Sequence, residues 1–236
     1  MADKIPTRIF DLLPRLKEKF EKSDAFGMKE NGKWRTYSTQ DFIDNVNNLS
    51  YGLLNLGIEK NDTVGIIANN RPEWHFADYA SQQVAAVTVP VYPTISEKDA
   101  DFIFRDAKVK LIFVSSKDLY DKIKPIADSA GVKHIYTFNK IEGAKHWSEL
   151  LESGKKDPNT EKLNKIKAAV NPDEMMTILY TSGTTGTPKG VMLSHHNIMS
   201  NSLASQSLAP FHHSWRALSF LPLNHIFERM VSYVYL

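Results

Sequence analysis

The sequence predicts an α/β protein built on mostly parallel sheets with helices on both faces. Two observations carry that prediction. Helical and strand patterns alternate from about Ser38 to Phe138, and strands separated by helices of this length form βαβ units. The 236 residues are 42% hydrophobic and 24% charged, enough chain and apolar content to bury a sizeable core.

Each element has a local reason. Ser38 and Asp41 have capping-box spacing, and Phe42, Val46, Leu49, Leu53 and Leu56 then recur at steps of four and three, one face of a helix. Gly57 is a natural stop. After Lys60-Asn61-Asp62, the run Thr63 to Ala68 reads as a buried strand. Pro72 fits the first turn of a helix reaching about Gln83. Val87 to Tyr92 reads as a strand that Pro90 places at an edge or a bulge. Ser96 and Asp99 repeat the capping spacing before a helix through Arg105. Lys110 to Val114, Asp118 to Ala130 with its stop at Gly131, and Lys133 to Phe138 read as strand, helix and strand. The polar, lysine-rich stretch from Lys155 to Lys167 reads as a solvated linker because Asp157 and Glu161 interrupt its positive charge.

Composition excludes several function classes. With no cysteine there is no disulfide framework, thiolate zinc site or cysteine nucleophile in this chain. A net charge of +2 does not suggest a nucleic-acid surface. No apolar run approaches the roughly 18 residues of a spanning helix, and the start, MADKIPTRIFDLL, lacks a signal-peptide core. The expected location is the cytoplasm.

One segment carries chemistry. Apolar Met175 to Leu179 runs into Tyr180-Thr181-Ser182-Gly183-Thr184-Thr185-Gly186-Thr187-Pro188-Lys189-Gly190. Glycines let backbone N–H groups converge on an anion, hydroxyls add donors and a Mg²⁺ ligand, and Lys189 adds a compact positive charge. This is a polyphosphate cradle. A Walker A loop aligned on Lys189 fails at Pro188 and Gly190. A nucleophile elbow on Ser182 fails at Tyr180 and Thr184. His225, in an apolar segment, is read either as a core histidine or as a site residue. Glu228 and Arg229 are read either as an ion pair or as substrate contacts. His225 and Glu228 lack the partner pair that a metal would need on a helix. The adjacent pairs His195-His196 and His212-His213 point in different directions and read as helix-surface and loop residues.

The stretch 180–191, YTSGTTGTPKGV, resembles the signature loop of the adenylate-forming superfamily. Asn70-Arg71-Pro72-Glu73-Trp74, Val89-Pro90-Val91-Tyr92-Pro93-Thr94 and Leu221-Pro222-Leu223-Asn224-His225-Ile226-Phe227-Glu228-Arg229 resemble its long-chain fatty acyl-CoA synthetases. The resemblance implies ATP-dependent conversion of a long-chain fatty acid to acyl-adenylate and then, with coenzyme A, to acyl-CoA. It implies that Thr181, Ser182, Gly183, Thr184, Thr185, Gly186, Thr187 and Lys189 bind the phosphates, that Thr184 helps to hold Mg²⁺, and that Lys189 takes part in catalysis. His225 would position the carboxylate or, with Glu228, gate the acyl pocket.

The same resemblance divides the chain into a first α/β portion of a large N-terminal domain, residues 1–170, and the start of the next portion, 171–236. The adenine, ribose and catalytic-lysine positions are expected beyond Leu236, as is a small mobile C-terminal domain. The expectation is therefore a fragment inactive alone. A homodimer stays open, as does peripheral contact with the inner face of a membrane, into which a long-chain substrate partitions. Two other readings also stay open. One is a non-catalytic nucleotide-binding module, the other a superfamily member acting on aryl or medium-chain acids.

Overall fold

The computed structural model describes residues 5–181, 187–208 and 210–236. A 3₁₀ turn, Ile9–Asp11, leads into α1 (Leu12–Lys19). Then come the hairpin β1 (Phe26–Glu30) and β2 (Lys33–Tyr37), α2 (Thr39–Asn55), β3 (Thr63–Ile67), α3 (Pro72–Gln83) and β4 (Val87–Pro90). They are followed by α4 (Glu97–Asp106), β5 (Val109–Val114), α5 (Lys117–Ala130), β6 (His134–Thr137), α6 (Ser148–Lys156) and α7 (Thr160–Ala169). The last described elements are β7 (Met175–Thr181), β8 (Lys189–Ser194), α8 (His195–Gln206) and α9 (Ile226–Val234).

The main sheet has six strands in the order β6-β5-β3-β4-β7-β8. It is parallel from β6 to β7, and β8 closes it antiparallel. Alternation along the strands splits the core into two layers. Val64, Ile66, Leu111 and Phe113 face α2, α3 and α6. Ile67, Val89, Ile112 and Val114 face α4 and α5. Helices on both faces of a mostly parallel sheet are thus present as the βαβ pattern predicted. The boundary at 170/171 falls before β7, which joins the same sheet through Thr88↔Thr177.

Helix α2 starts where its capping box predicts, with Ser38 and Asp41 each satisfying the other's backbone. Phe42, Val46, Leu49 and Leu53 are fully buried. It crosses α6 at backbone contact, where a Cβ on Gly52 would lie 2.1 Å from Leu150 O and one on Gly154 1.9 Å from Asn48 O. All twelve residues of α3 are buried, including Glu73, His75, Asp78, Gln82 and Gln83. A helix enclosed on every side needs internal partners for its polar groups: Glu73, Asp78 and Gln83 have them, while among the described residues His75 Nδ1, the Tyr79 hydroxyl and Gln82 Oε1 have no hydrogen-bond partner.

Two expectations change. Pro90 ends an interior strand, not an edge or bulge. Val87 and Val91 donate their N–H groups to Asp62 O and Ile66 O, so alternation turns the Pro90 nitrogen toward β7, which is in register with β4 at Thr88↔Thr177. The stretch from Lys155 to Lys167 is mostly helical, with Leu163 of α7 buried and Ile166 packed against the core. The hairpin β1–β2 turns on Asn31-Gly32, both at positive φ, a pair suited to a two-residue turn.

Candidate functional site

The signature loop joins β7 to β8 at the carboxyl edge of the parallel strands, where ligands bind in open α/β sheets. The antiparallel register sets Thr181 opposite Lys189 and Tyr180 opposite Gly190. Thr181, Thr187 and Lys189 are exposed, so two hydroxyls and an ammonium are available at the mouth of the loop. Ser182, Gly183, Thr184, Thr185 and Gly186 lie outside the described residues, and with them the Mg²⁺ assignment to Thr184. The strand that delivers the loop is anchored from outside. Tyr180 donates its hydroxyl to Asp106 Oδ2 at 2.5 Å and packs edge-on against Phe102. Burial and then the Asp106 carboxylate raise the Tyr180 pKa, so the phenol stays protonated. Gly190 makes room for that arrangement, since a Cβ there would lie 2.8 Å from Ile178 Cγ2 and 3.2 Å from Tyr180 Cζ.

The other three signature stretches meet beside this edge. Leu223 N–H donates to Asn70 Oδ1 at 3.0 Å, and Asn70 Nδ2 donates to Leu221 O at 2.7 Å. Asn224 accepts from Trp74 Nε1 at 3.1 Å and donates to Val91 O at 2.5 Å. Residues 221–224 are therefore bonded to the chain leaving both β3 and β4. Those two strands are where the connections diverge, one toward β4 and the next back to β5.

His225 follows immediately. It is exposed and caps α9, its Nδ1 accepting from Phe227 N–H at 3.2 Å. The core-histidine reading fails for that reason. Glu228 is buried, and its neighbour is not its ion-pair partner. Arg229, fully buried, pairs instead with Asp78 of α3, Nη2 to Oδ1 at 2.5 Å. Among the described residues no group of three His, Asp or Glu side chains is placed to hold a metal.

His195 is buried, not on the helix surface. Its Nδ1 accepts from Ile9 N–H at 3.3 Å and its ring meets Phe10 edge-on. Burial lowers its pKa to about 4. His196, His212 and His213 are exposed as expected. A cleft of about 510 Å³ opens at the far end of the carboxyl edge, near Arg35, Arg71, Glu73, Asn139 and Lys140. Burial pushes the Glu73 carboxyl up, but hydrogen bonds and charge from Arg71, with charge from Arg35, outweigh it and keep the group ionised. Both Glu73 oxygens are thus committed to Arg35, Tyr37 and Arg71. Residues not singled out from sequence, Asp78, Thr88 and Thr177, lie under α9. Nothing local marks them; only the burial of all of α3 forces Asp78 to find a cation.

The chain resembles known proteins in sequence and in fold. Residues 17–236 match the family described as AMP-binding enzyme. Long chain acyl-CoA synthetase 6, peroxisomal, of Arabidopsis thaliana is 34% identical over 209 residues, 84% of this chain and 29% of that protein. Long-chain-fatty-acid--CoA ligase ACSBG2 of Xenopus laevis is 28% identical over 96% of this chain and 32% of its own length. The chain thus spans about a third of the length of these curated relatives. Among solved structures, the long-chain-fatty-acid-CoA ligase FadD1 of Archaeoglobus fulgidus superposes with a TM-score of 0.81 at 26% identity, covering 98% of this chain and 46% of that one. A putative long-chain-fatty-acid CoA ligase of Rhodopseudomonas palustris shares the fold with a TM-score of 0.78, covering 97% and 55%.

Proposed function

The chain belongs to the AMP-binding enzyme family, and from that premise we propose that it is the front part of an enzyme joining a long-chain fatty acid to coenzyme A through an acyl-adenylate. The observation that carries the reading is the pairing of Thr181 with Lys189 across the signature loop, at the carboxyl edge of the sheet. Exposed hydroxyl and ammonium donors suit a polyphosphate.

In the first step the fatty carboxylate oxygen bonds to the α-phosphorus of ATP and the bond to pyrophosphate breaks. In the second the coenzyme A thiol, losing its proton, forms the thioester and AMP leaves. Both reacting partners of the first step are anions, so donors aimed at the phosphoryl oxygens offset charge as it builds. Thr181, Thr187 and Lys189 supply part of that set, with Ser182, Gly183, Thr184, Thr185 and Gly186 of the same loop. A Mg²⁺ ion, with Thr184 among its ligands, would add charge neutralisation on the phosphates. His225 orients the carboxylate, and Glu228, one turn on, belongs to the acyl gate. On this reading residues 1–170 and 171–236 are successive portions of one large N-terminal domain. Among the described residues no helix is long and apolar enough to cross a membrane. Peripheral contact with a bilayer, into which a long-chain fatty acid partitions, belongs to the same proposal.

The test uses the longest natural polypeptide containing this chain, incubated with ATP, palmitate and coenzyme A. One AMP and one pyrophosphate per thioester is the expected stoichiometry. Release of ADP and phosphate, or turnover indifferent to the carboxylate, contradicts the reading.

A further inference from the structure

We propose that Arg229 is a positioning residue that ties the phosphate-loop strand to His225, so that its hydrogen bonds to β4 and β7 set the geometry of adenylation. The inference rests on the adenylation reading above.

The guanidinium presents five N–H donors in a rigid fork, and the structure distributes them over four elements. Nη2 reaches Asp78 Oδ1 of α3 at 2.5 Å and Thr88 Oγ1 of β4 at 2.7 Å. Nη1 reaches Thr177 Oγ1 of β7 at 2.7 Å. Nε lies 2.8 Å from the Tyr233 hydroxyl of α9 and 3.2 Å from Asp78 Oδ2. The Tyr233 hydroxyl in turn donates to Asp78. The rings of Trp74 and Tyr233 flank the cation at 5.5 Å and 6.0 Å. A buried ion pair is weak evidence of stabilisation, because apolar packing of equal volume does as well. What this one provides is registration.

The strands it bridges matter for the site. Thr88 and Thr177 are the residues at which β4 and β7 are in register, and β7 runs from there into Thr181 and the signature loop. The helix it belongs to matters equally. Arg229 N–H donates to His225 O at 3.2 Å, so the fork and the N-cap histidine share one helical turn. Moving the fork off Thr177 shifts that turn relative to β7. A misplacement of about 1 Å can cost on the order of 10²-fold in rate.

Thr177→Val removes the Nη1 acceptor on β7 together with the hydroxyl's own donation to Thr88 O at 2.8 Å, keeps the branched side chain and leaves the pair with Asp78 intact. The experiment measures fatty-acid-dependent pyrophosphate–ATP exchange in the longest natural polypeptide. It compares Thr177→Val in the wild-type and His225→Ala backgrounds, with Thr177→Ser as rescue and thermal melting to confirm folding. The expected result is a fall of about tenfold in the rate at saturating ATP with little change in KM for ATP. Serine should restore the rate, and the valine should cost less than about twofold once His225 is Ala. Should the valine variant melt below the assay temperature, Thr88→Val enters the same cycle in its place. Equal losses in both backgrounds, a loss confined to KM, or no loss overturns the positioning role while the adenylation reading stands. Absence of exchange by the wild-type protein overturns both.

Discussion

Lys189→Met removes a compact positive charge from an exposed position opposite Thr181. On the proposed reading it lowers fatty-acid-dependent exchange by about 10²-fold, the scale for losing one aimed donor, and leaves the melting temperature near that of the wild type. Equal activity in the variant would remove Lys189 from the site. Buried side chains respond to pH instead. Burial lowers His75 and His195 to about 4 from an ordinary 6.5. Between those values the unfolded chain binds protons that the folded chain does not, so stability falls as pH drops from about 6.5 toward 4 and is fully present above that window. The His195 share at about pH 5 is about 2 kcal/mol. His195→Gln keeps an acceptor for Ile9 N–H but does not titrate. Unfolding free energies from urea titrations at about pH 7 and about pH 5 should therefore converge in the variant by that amount; an unchanged gap would contradict the assignment.

Among the described elements, α2 and α6 cross at backbone contact, because Gly52 and Gly154 let backbone meet backbone. Gly154→Ala gains about 1 kcal/mol in helix propensity but drives a Cβ against Asn48 O, a carbonyl that cannot rotate away. A net loss of about 2–3 kcal/mol follows, read as a lower denaturation midpoint. Ser38→Ala, which opens the capping box of α2, costs about 1 kcal/mol by the same measurement. The helices and strands visible in the sequence were those with strong local signals: Ser38 with its apolar stripe, Pro72, and the run of Thr63 to Ala68. Those that escaped notice depend on context. Nothing in Thr160–Ala169 outweighs its lysines until Leu163 finds the core. Pro90 reads as an edge signal until the register shows which way its nitrogen points. The Asn31-Gly32 turn is the exception, a local signal for a two-residue hairpin.

At the scale of the whole molecule, the sheet collects segments far apart in sequence into one edge. The signature loop was legible because its chemistry is contiguous, and His225 because its neighbours carry a recognisable pattern. Asp78, Thr88 and Thr177 were not, since their role exists only after α3, β4, β7 and α9 have packed around one guanidinium. The central claim is carboxylate adenylation at that edge, and exchange of labelled pyrophosphate into ATP by the longest natural polypeptide tests it most directly. Exchange that requires a long-chain fatty acid and collapses in Lys189→Met is the predicted result. No exchange with long-chain, medium-chain or aromatic acids, in a protein that still binds nucleotide, would contradict it.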